Sequence, residues 1–332
     1  MLTGECISDN AASLRLRARV ASRRSEADGI VSLDLVPDGM TEFPLFTPGS
    51  HIQVEVAPGL VRHYSLCNSP ADANRYRIAV LREVNSRGGS ATVHERLAVG
   101  DVIRISEPRN LFELARSAPH SRLVAGGIGV TPLLSMAQHL YGSAQSFELH
   151  YFARSLERMA FRDFIVSSGF AASARLHFTR GKQPRALDLD LLLHDPQHGT
   201  HLYVCGPAGF IDAVLAGARA RGWPDEQVHR EYFAADPAAN SSDSTAFRVR
   251  IASTGEEYEI PADRSVAAVL TDAGVVIPTF CEQGTCGTCL TRVLAGIPDH
   301  RDVILTEEER ARGDQFTPCC SRSKSPLLVL DL

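Results

Sequence analysis

The sequence has no long hydrophobic run, no excess of basic residues and no apolar leader. No window of its 332 residues approaches the roughly 18 consecutive apolar residues of a membrane-spanning helix, so we expect no membrane partner. The first ten residues, MLTGECISDN, contain no apolar segment of the kind that a secretion signal requires, which favours a cytoplasmic protein. A formal net charge of −5 argues against nucleic-acid binding, which normally uses a basic surface. Small molecules or another protein are the expected partners.

Two hydrolase signatures are also missing, the G-x-S-x-G elbow and the H-E-x-x-H zinc motif. Cysteine, by contrast, is plentiful. The chain has eight cysteines, and five of them fall within the last 52 residues. In a chain without a secretion signal, clustered cysteines favour a metal or redox site over disulfides.

Changes in hydrophobic pattern divide the chain into segments. Residues 14–115 contain short alternating runs separated by Gly, Pro, Asp and Asn, which predicts an antiparallel barrel or sandwich. Residues 116–233 alternate strand-like and helix-like stretches, which predicts a parallel α/β sheet. Residues 234–246 are small and polar, as in a linker, and 247–332 read as a small α+β unit. Residues 1–13 form an N-terminal extension to which we assign no role.

The cysteine spacing near the C-terminus is the most specific motif. Cys281, Cys286, Cys289 and Cys319 form C-x4-C-x2-C-x29-C, the plant-type ferredoxin spacing that holds a [2Fe–2S] cluster. The alternative is a structural zinc site, but zinc usually takes two close pairs of cysteines and only one such pair is present.

Cys319 and Cys320 are adjacent, so one of them is not expected to be a ligand. We expect them to lie in a strand, where consecutive side chains point to opposite faces, so both are not expected to reach one cluster. The spacing favours Cys319 as the ligand and Cys320 as a small buried residue. Gly284 and Gly287 would let the loop wrap closely around the cluster.

A possible phosphate site lies in the first segment. Arg62, Tyr64 and Ser65 end one β stretch, and Gly88, Gly89 and Ser90 precede a helical one. Glycines and a hydroxyl at a helix N-terminus can bind an anion, and an aromatic nearby suits flavin mononucleotide. The alternative is an ordinary glycine-rich turn beside a strand with an exposed arginine.

The α/β segment carries two glycine-bearing loops that follow strands. Such loops at the C-terminal ends of parallel strands define a ligand crevice. Cys205 could be catalytic, but a lone cysteine is more often inert. Phe233 could cover a flavin where the nicotinamide enters, or simply pack in a final strand. The crevice residues are Gly127, Gly129, Thr131, Pro132, Cys205, Gly206 and Pro207.

In this order, the motifs RHYSL, RGGS, GGIGVTP, CGP and CEQGTCGTC resemble those of the phthalate dioxygenase reductase family. The resemblance extends from about residue 14 to 332. It implies a Greek-key flavin barrel, an α/β nucleotide domain and a C-terminal ferredoxin domain of the β-grasp type. It also implies FMN, NADH and a [2Fe–2S] cluster, with a Rieske non-haem iron oxygenase as the transient electron acceptor.

The resemblance also implies residue roles. Arg62, Tyr64 and Ser65 would hold the flavin ring and ribityl chain, with Ser65 near N5, and Gly88 to Ser90 the phosphate. Arg154 falls where related reductases contact the ribose or phosphates of NADH. NADH gives up two electrons as a hydride and the cluster accepts one at a time, so a flavin must lie between them. The alternatives are a stand-alone NAD(P)H flavin/iron–sulfur reductase with another acceptor, and a non-catalytic zinc-binding adaptor.

Overall fold

The structure, a computed structural model, divides into two compact units, Met1–Glu231 and Tyr232–Leu332. It describes residues 14–72, 74–84, 88–179, 189, 192–194, 199–233, 245–279 and 281–332. The predicted extension 1–13 and most of the predicted linker, 234–244, lie outside these residues.

The first unit begins with six antiparallel strands that form the Greek-key barrel. Its strands are β1 (Leu16–Ala27), β2 (Ile30–Pro37), β3 (His51–Ala57), β4 (Leu60–Ser65), β5 (Tyr76–Leu81) and β6 (Val102–Ile105). They pair in the order β4-β3-β6-β1-β2-β5, and the short helix α1 (Gly89–Glu95) lies between β5 and β6. The backbone amide of Cys67 donates to the Arg77 carbonyl at 2.9 Å, which ties the end of β4 to β5. Of the two predicted architectures, the barrel is confirmed.

Alternation along β1 shows why these residues form a barrel. Leu16, Ala18 and Val20 are buried, whereas Arg17 and Arg19 between them are exposed. Successive side chains of a strand point to opposite faces, so a period-2 sequence fills the interior from one face only. The polar ends of the strands lie at the rim of this apolar interior. Arg62, Tyr64 and Ser65 are in β4, which ends there.

A five-stranded parallel sheet completes the first unit. Its strands are β7 (His120–Gly126), β8 (Phe147–Ala153), β9 (Ala174–Phe178), β10 (Thr200–Cys205) and β11 (Val228–Glu231). They pair in the order β11-β10-β7-β8-β9. The described helices beside them are α2 (Val130–Gly142), α3 (Arg162–Ser167) and α4 (Ala208–Ala220). The predicted α/β sheet is therefore confirmed.

Hydrogen bonds fix the barrel against the parallel sheet. The Gln138 side chain in α2 donates to the Cys67 carbonyl at 2.9 Å. The backbone amide of Asp28, between β1 and β2, donates to the Glu157 carbonyl at 2.7 Å. Because the two layers meet within one compact unit, residues at the barrel rim and at the ends of the parallel strands can share a site.

The second unit has the β-grasp arrangement, a mixed sheet with one helix packed on it. Its elements are β12 (Phe247–Ile251), β13 (Glu257–Ile260), α5 (Val266–Asp272), β14 (Thr291–Ala295), β15 (Pro298–Asp299), α6 (Glu307–Arg312), β16 (Gln315–Phe316), β17 (Arg322–Ser323) and β18 (Leu327–Leu330). The main sheet has the order β13-β12-β18-β14-β16, and β12 runs parallel to β18. The predicted hairpin, helix and terminal strand are all present.

The cysteine loop follows α5 and precedes β14. Cys319 and Cys320 lie in a turn between β16 and β17, so the prediction that they occupy a strand is wrong. Within this turn the Cys319 and Cys320 thiols hydrogen-bond each other. The amides of Cys320 and Ser321 both donate to the Thr317 carbonyl, at 3.2 and 2.9 Å.

Among the described residues, no helix is long and apolar enough to cross a membrane.

Candidate functional site

The predicted phosphate loop and the RHYSL strand lie together. A Cβ placed on Gly89 would lie 2.5 Å from the Arg62 Nε atom and 2.8 Å from its Cγ, so the arginine packs directly on this glycine. Gly88 has a φ of +87°, a left-handed conformation that favours glycine, and it caps α1 without a side-chain hydrogen bond. The glycine pair lets the Arg62 side chain lie against the N-terminal end of α1, an arrangement that suits a phosphate. Arg87 of this motif lies outside the described residues.

Ser90 and Tyr64 occupy the edges of this cradle. The Ser90 hydroxyl accepts the Glu83 amide at 3.1 Å, which holds the loop against the end of β5. Burial raises the pKa of Tyr64 to about 12, although Arg62 acts in the opposite direction. The phenol is therefore neutral at physiological pH and can act as a hydrogen-bond donor.

The two predicted crevice loops touch each other at the end of the parallel sheet. A Cβ on Gly129 would lie 2.4 Å from the Cys205 carbonyl carbon and oxygen and 2.5 Å from the Gly206 amide nitrogen. A Cβ on Gly206 would lie 3.0 Å from the Gly126 Cα. Gly127 has a φ of +55° and open space where a Cβ would stand. Backbone therefore lines this crevice, as nucleotide binding at strand ends requires.

The remaining crevice residues differ in exposure. Thr131 and Pro132 are buried in the first turn of α2, and the Thr131 hydroxyl donates to the Ile128 carbonyl at 3.0 Å. These two residues therefore support the loop and do not face the ligand side directly. Pro207 is the N-cap of α4, Arg154 follows β8 and is exposed, and Phe233 is 39% exposed. Arg154 is thus accessible to a ligand. Phe233 belongs to the second unit, so its predicted place over the flavin stays a prediction.

Ser65, Cys205 and Glu231 form a group where the barrel rim meets the parallel sheet. Cys205 and Glu231 are register partners at the ends of β10 and β11. The Ser65 hydroxyl hydrogen-bonds the Glu231 carboxyl. Burial and then the neighbouring Glu231 raise the pKa of the Cys205 thiol well above its ordinary value. A thiol held neutral is a poor nucleophile, which favours the inert interpretation of Cys205.

Glu231 was not singled out from the sequence. Burial raises the pKa of its carboxyl to about 8, and the Ser65 hydrogen bond lowers it less. Among the described residues, its Oε2 atom is buried without a hydrogen-bond partner. A buried acceptor left open beside a crevice is a functional-site signal that only the folded structure shows. A ligand bound beside Ser65 would therefore lie close to this neutral carboxyl.

Gly129 offers a direct test of the crevice. Gly129→Ala should strongly impair NADH binding and destabilise the fold by about 1–3 kcal/mol, because the new methyl would overlap the backbone of Cys205 and Gly206. Gly142→Ala, at the other end of α2, is a matched control with nothing within 4 Å of the new atom. Thermal unfolding and NADH titration measure both effects. Equal stability and equal NADH affinity in the two variants would contradict the close approach of Gly129 to the backbone of Cys205 and Gly206.

The second unit brings the predicted cluster ligands together. The Sγ atoms of Cys289 and Cys319 lie 3.2 Å apart, although 29 residues separate them in the chain. Hydrogen bonds from Cys286 and then Cys319 lower the pKa of Cys281. The amides of Gln283 and Thr285 donate to the Cys281 sulfur at 3.4 and 3.3 Å. Amide donors to sulfur stabilise the thiolate form that binds metal.

Cys320 lies behind the cysteine loop. A Cβ on Gly284 would lie 2.5 Å from the Cys320 Sγ atom, and the Thr317 hydroxyl is 3.2 Å from the same sulfur. Cys320 therefore fills space against the loop backbone. Gly284 and Gly287 have φ values of +71° and +74°, which lets the loop turn its amides toward the sulfurs. Four thiols, inward amides and glycine at the tight positions fit an iron–sulfur cluster.

Together, the Greek-key barrel, the parallel sheet and the cysteine loop define an oxidoreductase that joins a flavin and nucleotide unit to a ferredoxin domain. Two family models match parts of the chain. The 2Fe-2S iron-sulfur cluster binding domain matches residues 249–324. The N-terminal domain of the dimethylamine monooxygenase subunit DmmA-like family matches residues 103–228.

Whole-chain comparisons agree. A vanillate O-demethylase oxidoreductase from Pseudomonas sp. (strain HR199 / DSM 7063) is 50% identical over 313 residues, 94% of this chain and 98% of that protein. The solved phthalate dioxygenase reductase, described as modular for electron transfer from pyridine nucleotides to [2Fe-2S], is 40% identical with a TM-score of 0.77. The match covers 96% of this chain and 98% of the solved one. An intact type IV self-sufficient cytochrome P450 monooxygenase is 36% identical, with a TM-score of 0.74, over 96% of this chain but 41% of that one.

The chain belongs to the phthalate dioxygenase reductase family. Within that family, its sequence resembles the vanillate O-demethylase reductases, and the 50% identity confirms that resemblance.

Proposed function

We propose that this chain is the reductase component of a two-component Rieske-type aromatic oxygenase or O-demethylase. It takes electrons from NADH and passes them through FMN and a [2Fe–2S] cluster to the oxygenase. The observation that carries the proposal is that one polypeptide holds both the Ser65, Cys205 and Glu231 group and the four-thiol loop. The described cysteines form no disulfide, which is typical of the reducing cytoplasm, where we place the protein.

The first unit supplies binding and orientation. Arg62 and the amides from Gly88 to Ser90 would hold the FMN phosphate, with Tyr64 donating to the ribityl chain. The Ser65 hydroxyl would face N5 of the flavin ring. Bound flavin accepts a hydride from NADH and releases electrons one at a time.

The crevice loops hold the second ligand. Backbone at Gly127, Gly129 and Gly206 would receive NADH, and exposed Arg154 would contact its ribose or phosphates. Cys205 and Glu231, paired at the ends of β10 and β11, would present a neutral surface to the bound ligands. In the second unit, Cys281, Cys286, Cys289 and Cys319 would hold the cluster.

The purified protein tests this proposal directly. Flavin bands together with the broad visible absorption of an iron–sulfur cluster, both bleached by NADH, are expected. A Rieske oxygenase should then turn over on NADH only when this chain is added, with vanillate as the first substrate to try because of the relatives found. A colourless protein containing zinc would support the adaptor interpretation and refute the proposal.

A second candidate is a stand-alone reductase with another electron acceptor. It is favoured by one finding, that the same modules occur within a chain that is itself a cytochrome P450 monooxygenase. Reconstitution separates the two candidates. Electron transfer to a P450 haem but not to a Rieske oxygenase would favour the second.

Acidic residues of the second unit predict electrostatic steering toward the partner. Residues 246–332 carry nine Lys or Arg against thirteen Asp or Glu, a net charge of −4 out of the chain's −5. The sequence suggests Glu256, Glu257 and the run Glu307 to Glu309 as acidic patches. In the structure Glu257 pairs with Arg248 at 2.7 Å and also with Arg250, so it contributes little net charge. Glu307 and Glu308 remain exposed on α6.

The rate of electron transfer to the oxygenase should therefore fall with ionic strength below saturation, since salt screens charges beyond about 10 Å at 0.1 M. The NADH-to-flavin rate should change little. A Glu307→Gln/Glu308→Gln variant should flatten the salt dependence. Stopped-flow rates at low and physiological salt measure both steps, and a salt-independent rate to the oxygenase would contradict steering.

A further inference from the structure

The segment His300-Arg301-Asp302 lies directly behind the cysteine loop and has no role in the site described above. It follows β15 and leads into α6. The Val303 amide donates to the Gly284 carbonyl at 3.0 Å, in the centre of the cysteine loop. A Cβ on Gly284 would lie 2.9 Å from the Asp302 Cα. The backbone of this segment is therefore in contact with the loop that carries three of the four ligands.

The Asp302 side chain is completely shielded from solvent. Its Oδ2 atom accepts the amides of Ile304 and Leu305 at 3.2 and 2.9 Å. The Arg310 guanidinium of α6 hydrogen-bonds the Asp302 backbone carbonyl and lies 3.8 Å from Oδ2. A buried carboxylate needs such donors, and here they hold it in one orientation.

The other carboxyl oxygen faces the turn that carries Cys319. Oδ1 accepts the Ser321 hydroxyl at 3.5 Å and lies 3.7 Å from His300 Nδ1. Ser321 Oγ also accepts the Arg301 amide at 3.1 Å and is 2.8 Å from the Thr317 hydroxyl. Thr317 and Ser321 bracket Cys319 and Cys320. One buried side chain thus links the fourth ligand's turn to the segment that supports the other three.

The geometry points to Asp302 as a positioning residue for the iron–sulfur cluster, one that fixes the Cys319 turn against the cysteine loop and whose buried charge lowers the cluster's reduction potential. This inference rests on the proposed function, because it requires that the four thiols hold a [2Fe–2S] cluster. It goes further in assigning a role to a residue that is not a ligand.

The electrostatic part follows from the sign of the charges. Reduction adds an electron to a centre held by four thiolates, so a fixed anion nearby disfavours the reduced state. The titratable groups that face Asp302 are His300, Arg310 and the Cys320 thiol. The His300 side chain is shielded from solvent, whereas the Arg310 side chain is 37% exposed. Arg310 at 3.8 Å offsets part of the anionic field without replacing it. Removing only the negative charge should therefore raise the potential.

Asp302→Asn in the full chain tests this part. The amide keeps the shape and one acceptor oxygen, so iron content per flavin should be retained. At a fixed solution potential the ratio of reduced to oxidised cluster should rise on the order of tenfold, which is 59 mV for a one-electron couple. Electron paramagnetic resonance of the reduced cluster during a redox titration measures the ratio.

Asp299→Asn is the matched control, because it removes the same charge three residues earlier. Asp299 pairs with Arg301 and is partly exposed, so its variant should shift the ratio less than about twofold, as expected for a screened surface charge. Equal shifts in the two variants, or none in either, would overturn the electrostatic role.

Ser321→Ala tests the positioning part and leaves the carboxylate in place. Iron release to a chelator should be several-fold faster, with unchanged far-ultraviolet circular dichroism. Unchanged release would overturn the link between Asp302 and the Cys319 turn. If Asp302→Asn does not retain its cluster, this second variant decides the inference.

The wild-type spectrum separates this inference from the proposed function. The role of Asp302 alone would be overturned if the wild-type protein shows cluster bands and a normal NADH-to-flavin rate, while Asp302→Asn leaves the ratio of reduced to oxidised cluster unchanged and Ser321→Ala leaves iron release unchanged. A wild-type protein without cluster bands would overturn the proposed function, and this inference with it.

Discussion

Cys319→Ser should remove the [2Fe–2S] cluster, whereas Cys320→Ser should leave it in place. Cys319 Sγ lies 3.2 Å from Cys289 Sγ and hydrogen-bonds Cys281, so it completes a four-thiol set. Cys320 packs against Gly284 and the Thr317 hydroxyl, and it contacts the thiol set through Cys319. Losing a ligand should weaken the cluster by more than the 10–100-fold typical of changes to groups that merely support ligands.

Iron and sulfide content and the visible spectrum measure this difference. The two variants are matched, because each replaces one of two adjacent thiols with a hydroxyl. In Cys319→Ser the flavin should still be reduced by NADH, but one-electron transfer to an external acceptor should be largely lost. A cluster that survives in Cys319→Ser and disappears in Cys320→Ser would reverse the assignment.

Ser65→Ala should slow flavin reduction by NADH by about 10²-fold, the usual effect of removing one well-placed hydrogen-bond donor from a reacting site. Ser65 lies at the end of β4 and hydrogen-bonds Glu231, so its hydroxyl is held at the barrel rim. Stopped-flow reduction of the bound flavin measures the rate. Ser90→Ala, in the phosphate cradle, is a control that should weaken flavin affinity more than it slows reduction.

The same pair predicts a pH dependence. The Glu231 carboxyl has a pKa raised to about 8 by burial, so it is neutral at pH 7 and ionises above about 8. A negative charge in this group would disfavour transfer of a hydride to the flavin, so the reduction rate should fall as the pH rises through about 8. Glu231→Gln keeps a neutral side chain of the same shape and should abolish that fall. A decline that persists in Glu231→Gln would assign it to another group.

Stability should follow the same titration. Between the ordinary value of 4.5 and about 8, the unfolded chain releases a proton that folded Glu231 keeps. The free energy of unfolding should therefore decrease as the pH rises across this range, and Glu231→Gln should lack that part of the slope. Denaturant unfolding of the two proteins at pH 5 and pH 8 compares them directly.

How much of this could be read from the sequence depends on the range of each contact. The barrel, the parallel sheet and the ferredoxin unit follow from alternation over a few residues, as in Leu16, Ala18 and Val20. The cysteine motif is equally informative because three of its ligands lie within nine residues of one another. Period and spacing are local properties, and local properties survive in the linear sequence.

Contacts between distant segments were decided only by the tertiary structure. Ser65 comes from the barrel and Glu231 from the last strand of the parallel sheet, far apart in the chain. The packing around Glu231 buries its carboxyl and raises its pKa, which no local pattern encodes. Asp302 looks like one more surface acid in the sequence, yet it is shielded and joined to the Cys319 turn. The spacing alone favours Cys319 over Cys320. The structure shows that the two cysteines lie in a turn and not in a strand, with Cys320 close to Gly284. Burial and hydrogen bonding are set by what packs around a residue, and that is fixed only when the chain folds.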